Sequence, residues 1–365
     1  MSRRFVILGN PENRRVSLFQ QALTKQGLPE ARVVSWLDYL SSGELPFGDE
    51  PALVRVDSFG ENFAVQQQLW RRGGFSKALT VKDRRGEVLE PAKAHEGFRA
   101  VLRELSTTFA AHPPWRVLAV PNEIDELFDK RRTSRRYHAA GIPVPEFMDD
   151  VPGEPDALLE RVRALGWEEA FVKLSSGSSA SCLAHVVFEA DGPLVRTSLE
   201  WDAPRWFNNL KVRHLKKPAD IDRALRFILS QGAQVERGIP KARLGEAFFD
   251  LRVLCIAQEP RFVVVRQNVL PITNLHLGGF RGDLQALKAR VAPSAWQAAM
   301  ETCRRVAKLY SSLHVGIDLM FETDFVGHRV LEANAFGDLL PNLTLDGLDV
   351  WEWQIREALR QAETA

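Results

Sequence analysis

Cysteine is scarce in this chain: Cys182, Cys255 and Cys303 are the three present among 365 residues. Odd in number, far apart and set among apolar or small neighbours, they read as buried free thiols of a reducing compartment, not as a disulfide framework. No CxxC pair and no HExxH occurs, so the common structural and catalytic zinc patterns are excluded. No apolar run approaches the ~20 residues of a membrane-spanning helix. The apolar stretch that follows Met1-Ser2-Arg3-Arg4 is too short for a signal peptide. Charge of one sign is also lacking, with Lys plus Arg at 48 against Asp plus Glu at 47 and a net charge of +1. No global field draws such a chain onto nucleic acid or an anionic membrane. The expectation is a soluble, cytoplasmic protein whose partners are neither nucleic acid nor membrane.

What is present is an ordinary globular composition, 45% hydrophobic and 26% charged, which excludes a disordered chain, a collagen-like repeat and a coiled-coil rod. A chain of this length has room for about two to three domains. Residues 4–8 read as a buried strand ended by the turn Gly9-Asn10-Pro11, and a helical pattern follows (Val16, Leu18, Phe19, Leu23). Strands expected at 32–36 and 53–56, with helical material between and after them, make the opening an α/β layer. The turn at Gly9 is not a GxGxxG fingerprint. The third strand runs into Arg55-Val56-Asp57-Ser58-Phe59-Gly60-Glu61-Asn62. Ligands sit beyond the carboxyl ends of strands in open α/β sheets, so Arg55, Asp57, Ser58, Glu61 and Asn62 are candidate substrate contacts. A capping turn is the competing reading.

After Pro113-Pro114 a short strand is expected at 117–120, then one amphipathic helix at about 123–140 ending at Gly141, with Pro143 and Pro145 beyond. The segment to about 235 is expected to hold helices at 155–165 and 221–230 and strands at 170–174 and 184–189. The basic runs 131–136 and 211–217 read as solvated helix faces or a phosphate-lined mouth, since no aromatic platform interleaves them.

Two hairpins then carry the chemistry. Asp250-Leu251-Arg252-Val253-Leu254-Cys255-Ile256 returns as Phe262-Val263-Val264-Val265-Arg266. Centred near Glu259, this hairpin places Arg252 opposite Arg266, with Asp250 on the same face. Like charges facing each other on a sheet are unfavourable unless an anion lies between them, so the pair has the form of an anion clamp. A helix with the stripe Trp296, Met300, Cys303, Val306, Tyr310 and Leu313 leads to the apolar strand Val315-Gly316-Ile317-Asp318-Leu319-Met320-Phe321. Its return, His328-Arg329-Val330-Leu331-Glu332-Ala333-Asn334, centred near Phe325, faces Asp318 with Glu332. Asn334 shares the face of Glu332 at period two. Converging carboxylates on apolar strands cost several kcal/mol if left unpaired. A hard cation with oxygen ligands, Mg²⁺ above all, resolves that cost; pairing with Arg329 or another base is the alternative.

From about residue 122 to 343 these motifs resemble the ATP-grasp superfamily, carboxylate–amine ligases similar to glutathione synthetase and the enzymes that add glutamate to ribosomal-protein tails. The resemblance implies an N-terminal open α/β domain (1–121), a hinge helix and central lid domain (122–234), and a C-terminal antiparallel-sheet domain (235–365). It implies ATP and two Mg²⁺ ions, with Mn²⁺ as a substitute, the ions held by Asp318, Glu332 and Asn334. The family's Asp-x-Arg and following Arg fall on Asp250, Arg252 and Arg266. Thr273-Asn274-Leu275-His276-Leu277-Gly278-Gly279 matches the loop that closes over substrate, which makes Asn274 and His276 catalytic candidates. Lys130 and Lys173 match the two ATP lysines, Ser176, Gly177 and Ser178 the phosphate loop, and Val235 and Glu236 the hinge along adenine. The sequence departs from the family at Leu174, where Pro is usual, at a phosphate loop with one glycine, and at Ala335-Phe336-Gly337-Asp338 after Asn334. The implied reaction is ligation of a small-molecule or peptide carboxylate to an amine through an acyl phosphate, with release of ADP and phosphate. The same fold also supports phosphoryl transfer to a non-carboxylate acceptor, or ATP·Mg²⁺ binding without turnover. Soluble enzymes of this kind are often symmetric dimers.

Overall fold

The computed structural model describes residues 4–46, 48, 50–60, 62–177, 181–337 and 340–363. Strand and helix alternate at the start because short apolar runs are punctuated by residues that cap helices. β1 (Arg4–Leu8) leads to α1 (Arg14–Lys25), capped by the Asn13 side chain; β2 (Arg32–Val34) leads to α2 (Trp36–Ser42), capped by Ser35. β3 (Ala52–Val56) is buried at every position, as a strand covered on both faces must be, and precedes α3 (Phe63–Arg72), capped by Asn62. Beyond β4 (Glu87–Val88) come α4 (Pro91–Ala110) and β5 (Trp115–Val117), which lies slightly earlier than the sequence pattern suggested. β2, β1, β3 and β5 make a parallel sheet in that order.

Helices α3 and α4 touch backbone to backbone through two glycines. A Cβ on Gly97 would lie 1.9 Å from the Leu69 carbonyl oxygen, and one on Gly73 1.8 Å from that of Lys93. Gly97→Ala therefore has to part the helices. We expect it to cost about 1–3 kcal/mol despite alanine's better helix propensity, read as a lower urea midpoint; an unchanged midpoint would mean the helices separate freely.

The single helix expected at 123–140 is two: α5 (Pro121–Leu127) and α6 (Lys130–Ala139). Asp129 breaks it by turning its carboxylate onto the amides of Arg131 and Arg132, which makes Lys130 the first residue of a new helix. After α7 (Pro155–Ala164) come β6 (Glu169–Leu174), β7 (Leu183–Glu189), β8 (Gly192–Asp202), β9 (Arg205–Leu215), α8 (Pro218–Ser230) and β10 (Ala233–Arg237). The basic run beginning at Lys211 thus starts on strand β9 and is not a helix face. This second sheet runs β10-β6-β7-β8-β9-β4, so its last strand comes from between α3 and α4. It has its own core, in which Val172, Val186 and Val195 meet Leu158, Leu225 and Ile228.

The third sheet is antiparallel, ordered β14-β13-β12-β15-β16, with β11 on β12. Its elements are β11 (Arg243–Leu244), β12 (Ala247–Ile256), β13 (Glu259–Asn268), β14 (Phe280–Arg281), α9 (Leu284–Arg290), α10 (Pro293–Ala307), β15 (His314–Phe321) and β16 (His328–Asn334). α10 ends before Tyr310 and Leu313. On one face Leu251, Val253, Ile317 and Leu319 join the core beneath α10. On the other, Leu254, Ile256 and Phe262 meet the first sheet and α11 (Val350–Glu363). Further along that second face the residues turn polar, and there the cleft lies. Cys182, Cys255 and Cys303 are buried and free, as expected. No helix among the described residues is long and apolar enough to cross a membrane.

Candidate active site

Period-two alternation on β6 sends Ala170, Val172 and Leu174 into the core of the second sheet and leaves Glu169, Phe171 and Lys173 facing the third. Between the two sheets lies a cleft. Lys130, Lys173, Gly177, Glu236, Asp250, Arg266, Asn274, Asp318 and Glu332 all border it, so residues far apart in sequence converge.

The first hairpin does not have the register expected of it. Ala257 and Gln258 both take left-handed backbone conformations (φ 51° and 66°) and form a two-residue turn, with a bulge between Leu254 and Cys255. Arg266 consequently faces Asp250, and Arg252 faces Val264 on one side and Asp318 on the other. The two arginines do not clamp an anion directly across the ladder. They share Asp318 instead: Arg266 Nη2 lies 3.0 Å and Arg252 Nη2 3.3 Å from its Oδ2. Arg266 Nε also donates to Asp250 Oδ1 at 2.7 Å. Asp250 accepts from the Thr273 hydroxyl as well, which ties the 271–277 loop to the sheet.

The second hairpin keeps its expected register at the chemistry. Asp318 faces Glu332 and Gly316 faces Asn334. A bulge follows, because Leu319 pairs with Val330 and leaves Leu331 unopposed, so Leu331 and Glu332 both border the cleft. Arg329 turns away to Glu322 at 2.8 Å. The bases that reach these acids are others: Arg252 and Arg266 on Asp318, and Lys130 on Glu332 at 3.2 Å.

Each lysine is anchored at the cleft wall. Lys130 is held by its place at the start of α6, and its ammonium reaches the Gly177 carbonyl. Ser175 donates its hydroxyl to Asp129 at 2.9 Å and accepts the Lys130 amide at its own carbonyl, locking α6 to the end of β6. Lys173 pairs with Glu236 across the β6–β10 ladder. The Val235 side chain lies in the core of the second sheet, and its carbonyl accepts the Met148 amide. Asn274 borders the cleft and caps the short turn after it; His276 is exposed on that turn and meets Asn274 only through its amide. Ser178 and Glu61 lie outside the described residues.

The other candidates beyond β3 are engaged in the interior. Arg55, 3% exposed, donates to Asp57 at 3.2 Å and to Gln354 of α11 at 2.5 Å. Asp57 and Ser58 accept backbone amides within the turn, while Asn62 caps α3 and donates to Glu12. None of the four borders the cleft.

Sequence reasoning passed over Lys241. It stands at the cleft wall with its side chain 9% exposed, donating to the Pro271 carbonyl at 2.9 Å and the Thr273 hydroxyl at 3.2 Å. Burial lowers its pKa, and Arg266 and Lys173 oppose the help it has from Asp250. A lone lysine after Ile239-Pro240, ahead of an apolar strand, was the signal. Glu169, Phe171, Met320 and Leu331 were missed too, because only the meeting of two sheets makes them a wall.

The donor set fits a hard divalent cation. Burial would raise Glu332, but Lys130 and Lys173 hold it below the ordinary carboxylate range. Asp318 is different: burial raises it, Arg252 and Arg266 do not cancel this, and Asp250 and Glu332 add to it. Its Oδ1 is buried without an aligned donor. Among the described residues no three His, Cys, Asp or Glu side chains make a metal site alone. A cation on Asp318 and Glu332 would need the Asn334 amide, water and ligand oxygens, which is how Mg²⁺ is commonly held.

No protein-family model matches the sequence, and no curated protein matches it. Solved structures do match along almost the whole chain. The chain is similar to the ATP-grasp ligase PsnB complexed with minimal precursor, Mg and ADP, at 16% identity and a TM-score of 0.55 over 98% of each chain. It is similar to D-cycloserine synthetase DcsG at 14% identity and a TM-score of 0.56, over 98% of this chain and 99% of that one. It also resembles the macrocyclase MdnC from Microcystis aeruginosa MRC, bound with precursor peptide MdnA, at 11% identity and a TM-score of 0.54, over 98% and 99%. At such identities the likeness is one of fold.

Proposed function

We propose that this chain, which has the ATP-grasp fold, is an ATP-dependent, ADP-forming carboxylate–amine ligase. The observation that carries the reading is the convergence in one cleft of Lys130, Lys173, Arg266, Asp318 and Glu332, with Glu332 facing Asp318 and Arg252 held on Asp318 beside them. Residues 122–234 act as the lid over 235–365, and residues 1–121 stand on the substrate side. PsnB and MdnC were solved with precursor peptides, which supports a peptide as one substrate, alongside small-molecule acids.

The substrate carboxylate oxygen attacks the γ-phosphorus of ATP, ADP leaves, and an acyl phosphate remains. Lys130 and Lys173 offset phosphate charge at the cleft wall. Arg252 and Arg266 present planar forks to the acyl phosphate, a geometry lysine does not offer. The amine nitrogen then attacks the acyl carbon, the arginines stabilise the oxyanion, phosphate departs with the bonding pair, and the amine gives up its proton to water. Asp318, Glu332 and Asn334 would hold Mg²⁺, whose chemistry there is neutralisation of nucleotide phosphate charge. Closure of the lid keeps water from the acyl phosphate.

Thermal melting with and without ATP·Mg²⁺ tests the reading. Ligand at 100 times its dissociation constant adds about 2.7 kcal/mol, several degrees for a chain of this size. The wild type should show the shift and Glu332→Ala should lose it; absence of a shift in wild type overturns the reading. Hydroxylamine added with candidate acids should then yield a hydroxamate together with ADP, whereas ADP without hydroxamate points to a non-carboxylate acceptor.

A further inference from the structure

A second cavity adjoins the cleft. Leu174, Gly177 and Ser181 border both spaces. The remaining wall comes from α3, α4, the segment that carries β4, Phe59, Phe128 and Ser176, which borders this cavity and not the cleft. Five aromatic side chains line it: Phe59, Phe63, Trp70, Phe98 and Phe128. Phe59 and Phe98 meet with ring centroids 4.3 Å apart, Phe98 and Phe128 at 5.3 Å, and Phe63 stands edge-on to Trp70 at 6.0 Å. Trp70 is fixed by donating its indole N–H to the Leu89 carbonyl at 3.0 Å. Phe59 follows β3, so the cavity opens at the carboxyl edge of a parallel sheet, where ligands of such sheets bind.

One polar group of this wall is unused. His95 of α4 borders the cavity, and its Nε2 is buried with no hydrogen-bond partner. Burial lowers its pKa in spite of Asp125 nearby, so the ring is a neutral imidazole. At the rim, Arg84 and Glu87 pair with each other at 3.3 Å, and Lys82 and Asp83 are exposed. Between that charged rim and the serines at Ser176 and Ser181 the wall is apolar and aromatic, with Gln66 and His95 as its polar side chains. A charged side chain would be desolvated there without a counterion, whereas a flat ring meets ring edges and faces on several sides.

We infer that one of the two ligation substrates is an aromatic amino-acid residue, its phenyl or indole side chain seated among Phe59, Phe63, Trp70 and Phe98. His95 Nε2 hydrogen-bonds a polar group of that residue, and its reacting group points to the shared border at Gly177. This substrate class rests on the proposal that the first cleft holds ATP. The cavity's chemistry selects the ring and the cleft's chemistry joins it, with Leu174, Gly177 and Ser181 as the boundary between the two.

Ligand-observed NMR titrations on the full chain test this, with phenylalanine, tryptophan, leucine and glutamate as probes, each free and as its glycyl dipeptide. The aromatic probes should bind about tenfold more tightly than leucine, and glutamate should bind weakest. Whichever form, free or dipeptide, binds better identifies a small-molecule or a peptide source. Ala94→Trp, on the α4 wall, fills the cavity and should abolish aromatic binding, and Phe63→Ala should weaken it. The ATP·Mg²⁺ melting shift of both variants should stay at the wild-type value, which also shows that they fold. Leucine binding as tightly as phenylalanine, or Ala94→Trp retaining the aromatic probes, overturns the inference while an intact ATP·Mg²⁺ shift leaves the ligase reading standing. Loss of that shift in wild type overturns the ligase reading and the substrate assignment with it.

Discussion

In an Arg266→Met protein the unfolding free energy at pH 7 should fall by about 3–5 kcal/mol. Arg266 is 5% exposed and stands between two buried carboxylates, Asp250 at 2.7 Å and Asp318 at 3.0 Å. Methionine fills similar space but leaves both acids without their shared cation, and Arg252 and Lys241 reach only one of them each. The pH dependence identifies the cause. In the wild type, burial would raise Asp250, but Arg266 and Lys241 outweigh it and hold the group below its ordinary value. Its contribution is present above that ordinary value and is lost as pH falls through the depressed one. Without Arg266 both carboxyls rise in the folded state. A raised carboxyl stabilises the fold below its unfolded value, and that stability is lost as pH rises through the folded value. The deficit of the variant should therefore be largest at neutral pH and shrink toward pH of about 4. Urea unfolding at several pH values checks this. A deficit independent of pH would mean that lost packing, not unpaired charge, is what the substitution costs.

Arg252→Ala should instead spare the fold and slow the reaction. Asp318 keeps Arg266 in this variant, so no buried acid is left without a cation and the loss of stability is smaller. If Arg252 stabilises the oxyanion, its removal raises the barrier by roughly 3–4 kcal/mol, about 10²–10³ in kcat. Arg252→Lys should not restore the rate, because an ammonium cannot present two parallel donors to a phosphoryl or carboxyl group. The rate of ADP release with saturating substrates measures the loss, and the ATP·Mg²⁺ melting shift should persist in both variants. Wild-type turnover in Arg252→Ala would remove this residue from the chemistry.

The two hairpins show how far local pattern reaches. Around Phe325 the apolar strands and the single acid on each were enough to face Asp318 with Glu332, and the sheet has that register. Around Glu259 the same reasoning missed by two residues, because the Ala257–Gln258 turn and the bulge after Leu254 depend on backbone conformation that composition does not display. The outcome changed the chemistry assigned: Arg266 faces an acid, not another arginine. Asp129 hid in a similar way, since an acid inside a helical pattern is also a helix cap.

By itself the sequence determined the α/β opening, the antiparallel hairpins, the buried free thiols and several of the charged groups that border the cleft, among them Lys130, Lys173, Arg266, Asp318 and Glu332. These follow from periodicity and from the cost of burying charge, which are properties of short segments. Only the tertiary structure decided which base pairs with which acid, that Lys241 and Phe171 wall the cleft, that β4 closes the edge of the second sheet, and that five aromatic rings face a second cavity. Those contacts join residues tens to hundreds of positions apart, and their energies arise only when separate sheets and helices have docked.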